Sequence, residues 1–205
     1  MPFDSIKSLN RVPTFDNQVN PFYPLIVLFL TMHIIAQTPR FVIRDFKPEE
    51  EAIYLALFDD QRVTLHLPKR SRKEQIEIFR KAIEGYKENT GLGRWGIFNN
   101  IDGDYIGMCL LRNYYEEEGR IELGYSLGYK YWGKGIASEM AIIMVSYALT
   151  HTNPDEIVGV TTLGNIGSQK VLEKAGLTRM DNFRRDGEDL AFFSLKVPQK
   201  YNGSG

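Results

Sequence analysis

Residues 129–140 read Tyr-Lys-Tyr-Trp-Gly-Lys-Gly-Ile-Ala-Ser-Glu-Met, and they join two segments of different periodicity. Upstream, residues 121–127 alternate as a β-strand does. Downstream, apolar or small side chains recur at the spacing of one helical face: Ala137, Met140, Ala141, Met144, Val145 and Ala148. The stretch therefore predicts a strand, a glycine-containing loop and the N-terminus of an amphipathic helix.

The loop has the features of an anion-binding site. Gly133 and Gly135 lack a Cβ, so a ligand can approach their backbone closely. The first N–H groups of the following helix have no partner within the helix, and the helix dipole favours negative charge there. The pattern predicts a pyrophosphate cradle. The alternative for a single pair of glycines is a plain turn between strand and helix.

A second segment, residues 161–177, reads Thr-Thr-Leu-Gly-Asn-Ile-Gly-Ser-Gln-Lys-Val-Leu-Glu-Lys-Ala-Gly-Leu. Together the two segments resemble the GNAT acyl-CoA N-acyltransferases, and within them the branch that acetylates ribosomal protein N-termini. Residues 132–137 are similar to the coenzyme A loop of that family, with Trp132 at its first position, a replacement usual in this branch. Residues 121–125 are similar to the strand before the loop, and residues 165–176 to the helix after the next strand. The resemblance covers about residues 40–197.

The resemblance implies a mixed α/β fold in one domain. The sheet should be twisted and mostly antiparallel, with about six or seven strands and with helices on both faces. The strand 121–127 and the next strand should splay apart, so that pantetheine pairs with backbone near Tyr125 and Leu127. Acetyl-CoA is then the co-substrate. The residues that the resemblance assigns to its binding are Tyr125, Leu127, Trp132, Gly133, Lys134, Gly135, Ile136, Ala137 and Asn165.

Two residues are candidates for catalysis. An amine must be neutral to attack a thioester, and a nearby carboxylate can take its proton. Glu122, in the strand before the loop, is the candidate base; the alternative is a solvent-facing or salt-bridged strand residue. Many relatives carry a tyrosine at the position of Leu172 that protonates the leaving thiolate. Because that tyrosine is absent here, we expect the Ser168 hydroxyl to stabilise the thiolate.

Other residues at this site have structural alternatives. Asn165 is a favoured helix N-cap as well as a coenzyme contact, and both roles are compatible. Lys134 is either a loop charge or a phosphate neighbour, and Trp132 is expected to fix the loop by packing. His66 is either a plain loop histidine or part of the acceptor pocket.

The composition excludes several classes of protein. The 205 residues carry a formal net charge of −1, which provides no basic field for nucleic acid. The single cysteine, Cys109, excludes an internal disulfide, fits a reducing compartment such as the cytoplasm, and is expected to be a buried strand thiol. The three histidines show no metal-ligand spacing, so no metal is predicted.

The chain divides into three parts in this interpretation. Residues 1–38 form an N-terminal extension, 39–198 the acetyltransferase domain, and 199–205 a disordered tail. The apolar run at 22–36 is too short for a comfortable membrane span. It is either an element packed on the domain or on a partner, an interfacial anchor, or upstream sequence ahead of a natural start at Met32. We expect no membrane association.

The leading functional hypothesis is transfer of an acetyl group from acetyl-CoA to a primary amine. No residue is placed as a nucleophile, so the amine should attack the thioester directly in a ternary complex. The acceptor is either a protein N-terminal amine or a small-molecule amine, and the enzyme either a monomer or a homodimer. The alternative, which the missing tyrosine favours, is a catalytically weak acyl-CoA-binding sensor or interaction module.

Overall fold

The computed structural model of the protein describes residues 33–115 and 117–198. Within them, nine strands form one sheet: β1 (Ile34–Gln37), β2 (Phe41–Arg44), β3 (Gly93–Asn99), β4 (Tyr105–Asn113), β5 (Arg120–Leu127), β6 (Glu156–Thr162), β7 (Thr178–Arg179), β8 (Phe183–Arg185) and β9 (Glu188–Lys196). Their spatial order is β1-β2-β3-β4-β5-β6-β9-β7, and β8 also pairs with β9. The pair β5–β6 is parallel and the other pairs are antiparallel.

The mixed α/β class and the mostly antiparallel sheet are therefore confirmed, with more strands than the six or seven expected. The short strands β7 and β8 lie close together in sequence, with residues 180–182 between them. Both strands pair with β9.

Five α-helices lie in the described residues: α1 (Glu51–Ala56), α2 (Gln61–Thr64), α3 (Arg72–Gly85), α4 (Ile136–His151) and α5 (Ile166–Lys174). The helix α3 begins at a capping box, in which the Ser71 hydroxyl accepts from the Glu74 N–H and the Glu74 carboxylate accepts from the Ser71 N–H. The helix α5 begins after Asn165 and is followed by Gly176, whose φ is +93°. A left-handed glycine after a helix is the usual stop, because a side chain is strained there.

Helices cover both faces of the sheet, as predicted. On one face α4 and α5 pack on a core whose members include Phe41, Trp95, Leu123, Met140, Met144 and Phe193. On the other face α1, α2 and α3 pack on a second core that includes Phe46, Tyr54, Phe79, Phe98 and Met108. Cys109 is fully buried in the first core, which confirms the prediction of a buried strand thiol.

The sheet begins ahead of the domain boundary predicted at residue 39, because β1 pairs with β2. Residues 34–36 of the apolar run therefore belong to the sheet edge. Residues 22–32, which include the candidate start Met32, and the C-terminal tail at 199–205 lie outside the described residues. No helix in the described part of the chain is long and apolar enough to cross a membrane.

Candidate functional site

The strands β5 and β6 separate after a short paired segment. Their parallel pairing runs from Arg120 opposite Glu156 to Glu122 opposite Val158. Beyond Glu122, β5 continues to Leu127 beside β4 alone, and β6 continues to Thr162 beside β9. The splay predicted from the resemblance is therefore present in the strand register. The backbone groups of residues 123–127 that face β6 are available to a ligand lying in this opening.

The glycine loop follows the open end of β5 and leads into α4. Gly133 has φ +71° and Gly135, the N-cap residue of α4, has φ +77°. Both backbones lie in the left-handed region, which a side chain adopts only with strain. Within the described residues no side chain caps the first turn of α4. Its N–H groups are free to bind an anion, as expected of a pyrophosphate cradle.

The first turn of α4 is anchored on its inner side and exposed on its outer side. Ile136 is buried in the core under α4, and Ala137 packs against that core. Lys134 is exposed, and its Nζ lies 5.8 Å from the centre of the Tyr131 ring. The positions of Ile136 and Ala137 fix the helix, so the loop residues ahead of them present their backbone to solvent.

Arg40 braces the loop from outside, a role that the sequence pattern did not reveal. Its Nη2 donates to the carbonyl oxygen of Lys134 at 2.6 Å, and its Nη1 pairs with Glu139 Oε2 at 2.9 Å. Glu139 lies in the first turn of α4, where a free carboxylate would repel an anionic ligand. Arg40 offsets that charge and places a second cation beside the loop.

Trp132 ties the loop to the end of β5. Its indole Nε1–H donates to the Leu127 carbonyl at 2.8 Å, and its ring centre lies 5.3 Å from that of Tyr129. The ring itself is 44% exposed. The Leu127 carbonyl, at the end of the open part of β5, therefore already accepts one hydrogen bond from the loop.

The helix α5 brings two predicted residues together with a residue of β5. The Asn165 side chain accepts a hydrogen bond from the Ser168 N–H at 3.1 Å and so caps α5. The Tyr125 hydroxyl donates to Ser168 Oγ at 3.2 Å. Burial raises the pKa of Tyr125 above its usual value of 10.0, with the Ser168 hydrogen bond opposing in part, so the phenol stays protonated at neutral pH. Tyr125 and Ser168 therefore form a chain of hydroxyls beside the splay.

Leu172 belongs to the core and does not reach this site. It is 2% exposed and packs so closely over β6 that a Cβ on Gly159 would collide with its side chain. The position that carries a tyrosine in many relatives is therefore a packing position here. The phenol that contacts α5 through Ser168 is that of Tyr125, on β5.

Glu122 is paired with an arginine on the next strand. Arg112 lies directly opposite it in the β4–β5 register, and Arg112 Nε and Nη2 contact Glu122 Oε2 at 2.9 and 2.7 Å. The Glu122 side chain is 10% exposed. The salt-bridged alternative raised for this residue is thus present, and both contacts use a single oxygen. The other oxygen, Oε1, has no hydrogen bond to any side chain of the described residues.

The two candidate catalytic groups lie on opposite faces of the sheet. Leu123 and Tyr125 join the core under α4 and α5, whereas Leu110, opposite Gly124, joins the core under α1 to α3. Alternation along β5 then places Glu122 on the α1 to α3 face and Tyr125, with Ser168, on the other. The splay connects these faces, so a group held in it can be reached from both.

His66 lies at the far end of the splay. Its Nδ1 is 2.7 Å from Thr162 Oγ1 at the last residue of β6, which joins the loop after α2 to the strand end. The side chain is partly buried. This position is compatible with the acceptor pocket raised as one alternative for His66.

A comparison with protein families matches residues 40–178 to the acetyltransferase (GNAT) domain. The chain belongs to the GNAT acetyltransferase family. The GNAT match spans more than half of the chain and includes the splay, the glycine loop and all of α5. The protein is accordingly an acyl-CoA-dependent N-acetyltransferase, and acetyl-CoA is the acetyl donor of its family.

Relatives of known sequence and structure agree with this GNAT assignment. The uncharacterized N-acetyltransferase p20 of Bacillus licheniformis is 28% identical over 175 residues, which are 81% of this chain and 97% of p20. The ribosomal-protein-S5-alanine acetyltransferase from Vibrio fischeri shares the fold with a TM-score of 0.69 at 19% identity, over 80% of this chain and 97% of that one. The ribosomal L7/L12 alpha-N-protein acetyltransferase RimL in complex with coenzyme A has a TM-score of 0.69 at 14% identity, over 80% and 98% of the two chains.

Sequence reasoning about this GNAT site missed the arginines. Arg40 lies just before β2 and Arg112 lies on β4, and neither belongs to a recognisable sequence pattern. Only the cross-strand register connects Arg112 to Glu122. In the described part of the chain, no three His, Cys, Asp or Glu side chains are grouped as a metal site would require.

Proposed function

We propose that this GNAT enzyme transfers the acetyl group directly from acetyl-CoA to a primary amine in a ternary complex. The splay supports this proposal most strongly, because it lies beside an uncapped helix N-terminus and has polar side chains on both faces of the sheet, Glu122 on one and Tyr125 with Ser168 on the other. The donor enters from the α4 and α5 side and the amine from the α1 to α3 side.

Residues of the loop and of β5 hold the donor. The backbone N–H groups at Gly133 to Ala137 are suited to the pyrophosphate, with Arg40 and Lys134 as nearby cations. Tyr125 and its neighbours offer backbone groups on the open side of β5. Trp132 and Asn165 act by holding the loop and the start of α5 in place.

Glu122 takes the amine proton and Ser168 stabilises the leaving thiolate in this proposal. The amine nitrogen attacks the thioester carbonyl carbon and loses a proton to Glu122 Oε1, directly or through water, while Arg112 holds the carboxylate through Oε2. The carbon–sulfur bond then breaks. Ser168, whose Oγ already accepts from Tyr125, donates a hydrogen bond to the leaving thiolate, which then takes its proton from solvent. The products are an N-acetyl amide and free coenzyme A.

The acceptor class is open between a protein N-terminal amine and a small-molecule amine. Two structural neighbours are described as enzymes that act on ribosomal proteins, which favours the protein N-terminus. Fold similarity alone does not fix the acceptor, because one fold supports many substrates. We further propose that the protein works in the cytoplasm, consistent with its single buried thiol.

Calorimetric titration with acetyl-CoA tests the donor site. We expect the parent protein to bind and Gly135→Val to lose binding, since the side chain would stand where the backbone must meet the pyrophosphate. The matched control is Gly187→Val, because Gly187 also has positive φ (+82°) with open space around its Cβ, in the turn between β8 and β9. Equal loss in both variants would show a folding defect, and equal retention would contradict the assignment of the cradle.

Release of free thiol in the presence of amines then tests transfer. Glu122→Gln should lower turnover, most strongly at low pH, and leave the affinity for acetyl-CoA unchanged. Tight binding of acetyl-CoA with no transfer to any amine would instead support the acyl-CoA-binding sensor.

A further inference from the structure

One arginine on the acceptor side of the sheet has no acidic partner. Arg94 lies on β3 opposite Leu110, which lies opposite Gly124 on β5. Leu110 belongs to the core under α1 to α3, so Arg94 shares this face with Glu122. Arg94 forms no ion pair with any carboxylate of residues 33–115 and 117–198, whereas Arg112 on the same face is paired with Glu122.

The Arg94 side chain extends toward the splay. Its Nη1 lies 3.5 Å from Met108 Sδ, and Met108 is opposite Ser126 in the β4–β5 register. This contact places the guanidinium against a side chain of β4. One strand spacing, about 5 Å, separates β4 from the open part of β5 where the thioester and the amine should meet.

The Arg94 side chain is partly buried, and its surroundings are poor in negative charge. Burial lowers the pKa of its guanidinium, and the neighbouring charges of Arg112 and Arg70 lower it further, partly opposed by the Tyr54 and Tyr105 hydroxyls. An arginine stays charged in a protein, so this partly buried cation has no carboxylate partner among the residues that the structure describes. The hydroxyl oxygen of Tyr105 is buried there and also has no hydrogen-bond partner in the described chain.

We propose that the acceptor carries an oxyanion within a few bonds of its amine, and that Arg94 binds this oxyanion. This inference rests on the proposed function, because it requires the amine to enter from the α1 to α3 side. A guanidinium matches a carboxylate or a phosphate with paired hydrogen bonds. The acceptor is therefore an amino acid, an aminoalkyl phosphate or a peptide with an acidic first residue, rather than a polyamine or a peptide with a neutral N-terminal residue.

Matched acceptors test the proposal directly. Thiol release is measured with L-amino acids and their carboxamides, with phosphoethanolamine and ethanolamine, and with peptides that begin with Asp or Asn. We expect kcat/KM to be at least tenfold higher for the anionic member of the preferred pair, and the pair that responds identifies the source of the oxyanion. Equal rates within every pair would overturn the proposal.

Variants then assign the preference to Arg94. Arg94→Met should bring the ratio within the preferred pair close to one, mainly through a higher KM for the anionic acceptor, and Arg94→Lys should give an intermediate ratio. The control is Arg70→Met, because Arg70 is an exposed neighbour of the same charge. A preference that survives in Arg94→Met, or that disappears equally in Arg70→Met, would contradict the assignment.

A measurement without turnover separates this inference from the proposed function. With coenzyme A saturating the glycine loop, added inorganic phosphate should raise the melting temperature of the parent and of Arg70→Met more than chloride of equal ionic strength. Arg94→Met should show no such difference, and its absence in the parent would overturn the proposal. If phosphate acts through Arg94 but no amine is acetylated, the anion site stands and the proposed transfer is wrong.

Discussion

The hydrogen bond from Tyr125 to Ser168 allows a quantitative prediction about the leaving group. If Ser168 donates to the departing thiolate, Tyr125 assists by donating to the same oxygen at 3.2 Å. A neutral hydrogen bond contributes about 0.5–1.5 kcal/mol and one to a charged group about 1.5–3 kcal/mol. Each 1.36 kcal/mol in the barrier corresponds to about tenfold in rate. We therefore expect Tyr125→Phe to slow acetyl transfer about 2- to 10-fold and Ser168→Ala about 10- to 100-fold.

The double variant separates a relay from two independent contributions. Because Tyr125 acts through Ser168, Tyr125→Phe should have almost no further effect in the Ser168→Ala background. The assay is single-turnover thiol release at saturating acetyl-CoA and amine, which reports the chemical step. Tyr147→Phe is a control for removing a hydroxyl from another core tyrosine, and should leave the rate unchanged. Losses that multiply in the double variant, or an unaffected rate in Tyr125→Phe, would refute the relay.

Three further predictions follow from contacts around the site. Arg40→Gln removes the 2.6 Å bond to the Lys134 carbonyl and should raise the Kd for acetyl-CoA about 3- to 10-fold by calorimetry; an unchanged Kd would show that the loop needs no brace. Burial raises the pKa of Glu156, but hydrogen bonds from Ser194 and Arg120 and the Arg120 charge lower it below the usual 4.5 overall. The ionised Glu156 therefore stabilises the fold fully above pH 4.5, and this contribution is lost as the pH falls below that value. Glu156→Gln should make the melting temperature less dependent on pH in the acid range, and an unaltered pH dependence would contradict this. Leu172→Tyr should not restore a catalytic tyrosine but should lower stability by about 1–3 kcal/mol in urea titration, because the site over β6 is full; a stable, faster variant would show the opposite.

Local patterns in the sequence predicted the elements that carry the site. Alternation predicted β5, and the glycines with the helical repeat predicted the loop and α4, because each of these elements has a clear apolar face. The edge position of β1 and the separation of β7 from β8 depend on which strands they pair with, and a local pattern does not contain that information.

The polar contacts of the site could not be predicted in the same way. Arg40 meets the loop across 94 positions of sequence, and Arg112 meets Glu122 through the strand register. The Glu122 salt bridge and the Tyr125–Ser168 bond both require two elements to be placed in space before either can be inferred. Periodicity identifies the face on which a residue lies, and it carries no information about which residue of another strand or helix will stand opposite.

The short pairing between β5 and β6 also has a mechanical consequence. It is the only ladder in the described sheet that joins the strands β1 to β5 to the strands β6 to β9, and it spans just the first residues of each strand. A donor that pairs with β5 inside the splay adds cohesion between two halves that otherwise share few backbone bonds. The stability of the sheet against local opening then depends on the acetyl-CoA concentration. Amide hydrogens along the open half of β5 should exchange more slowly as that concentration rises.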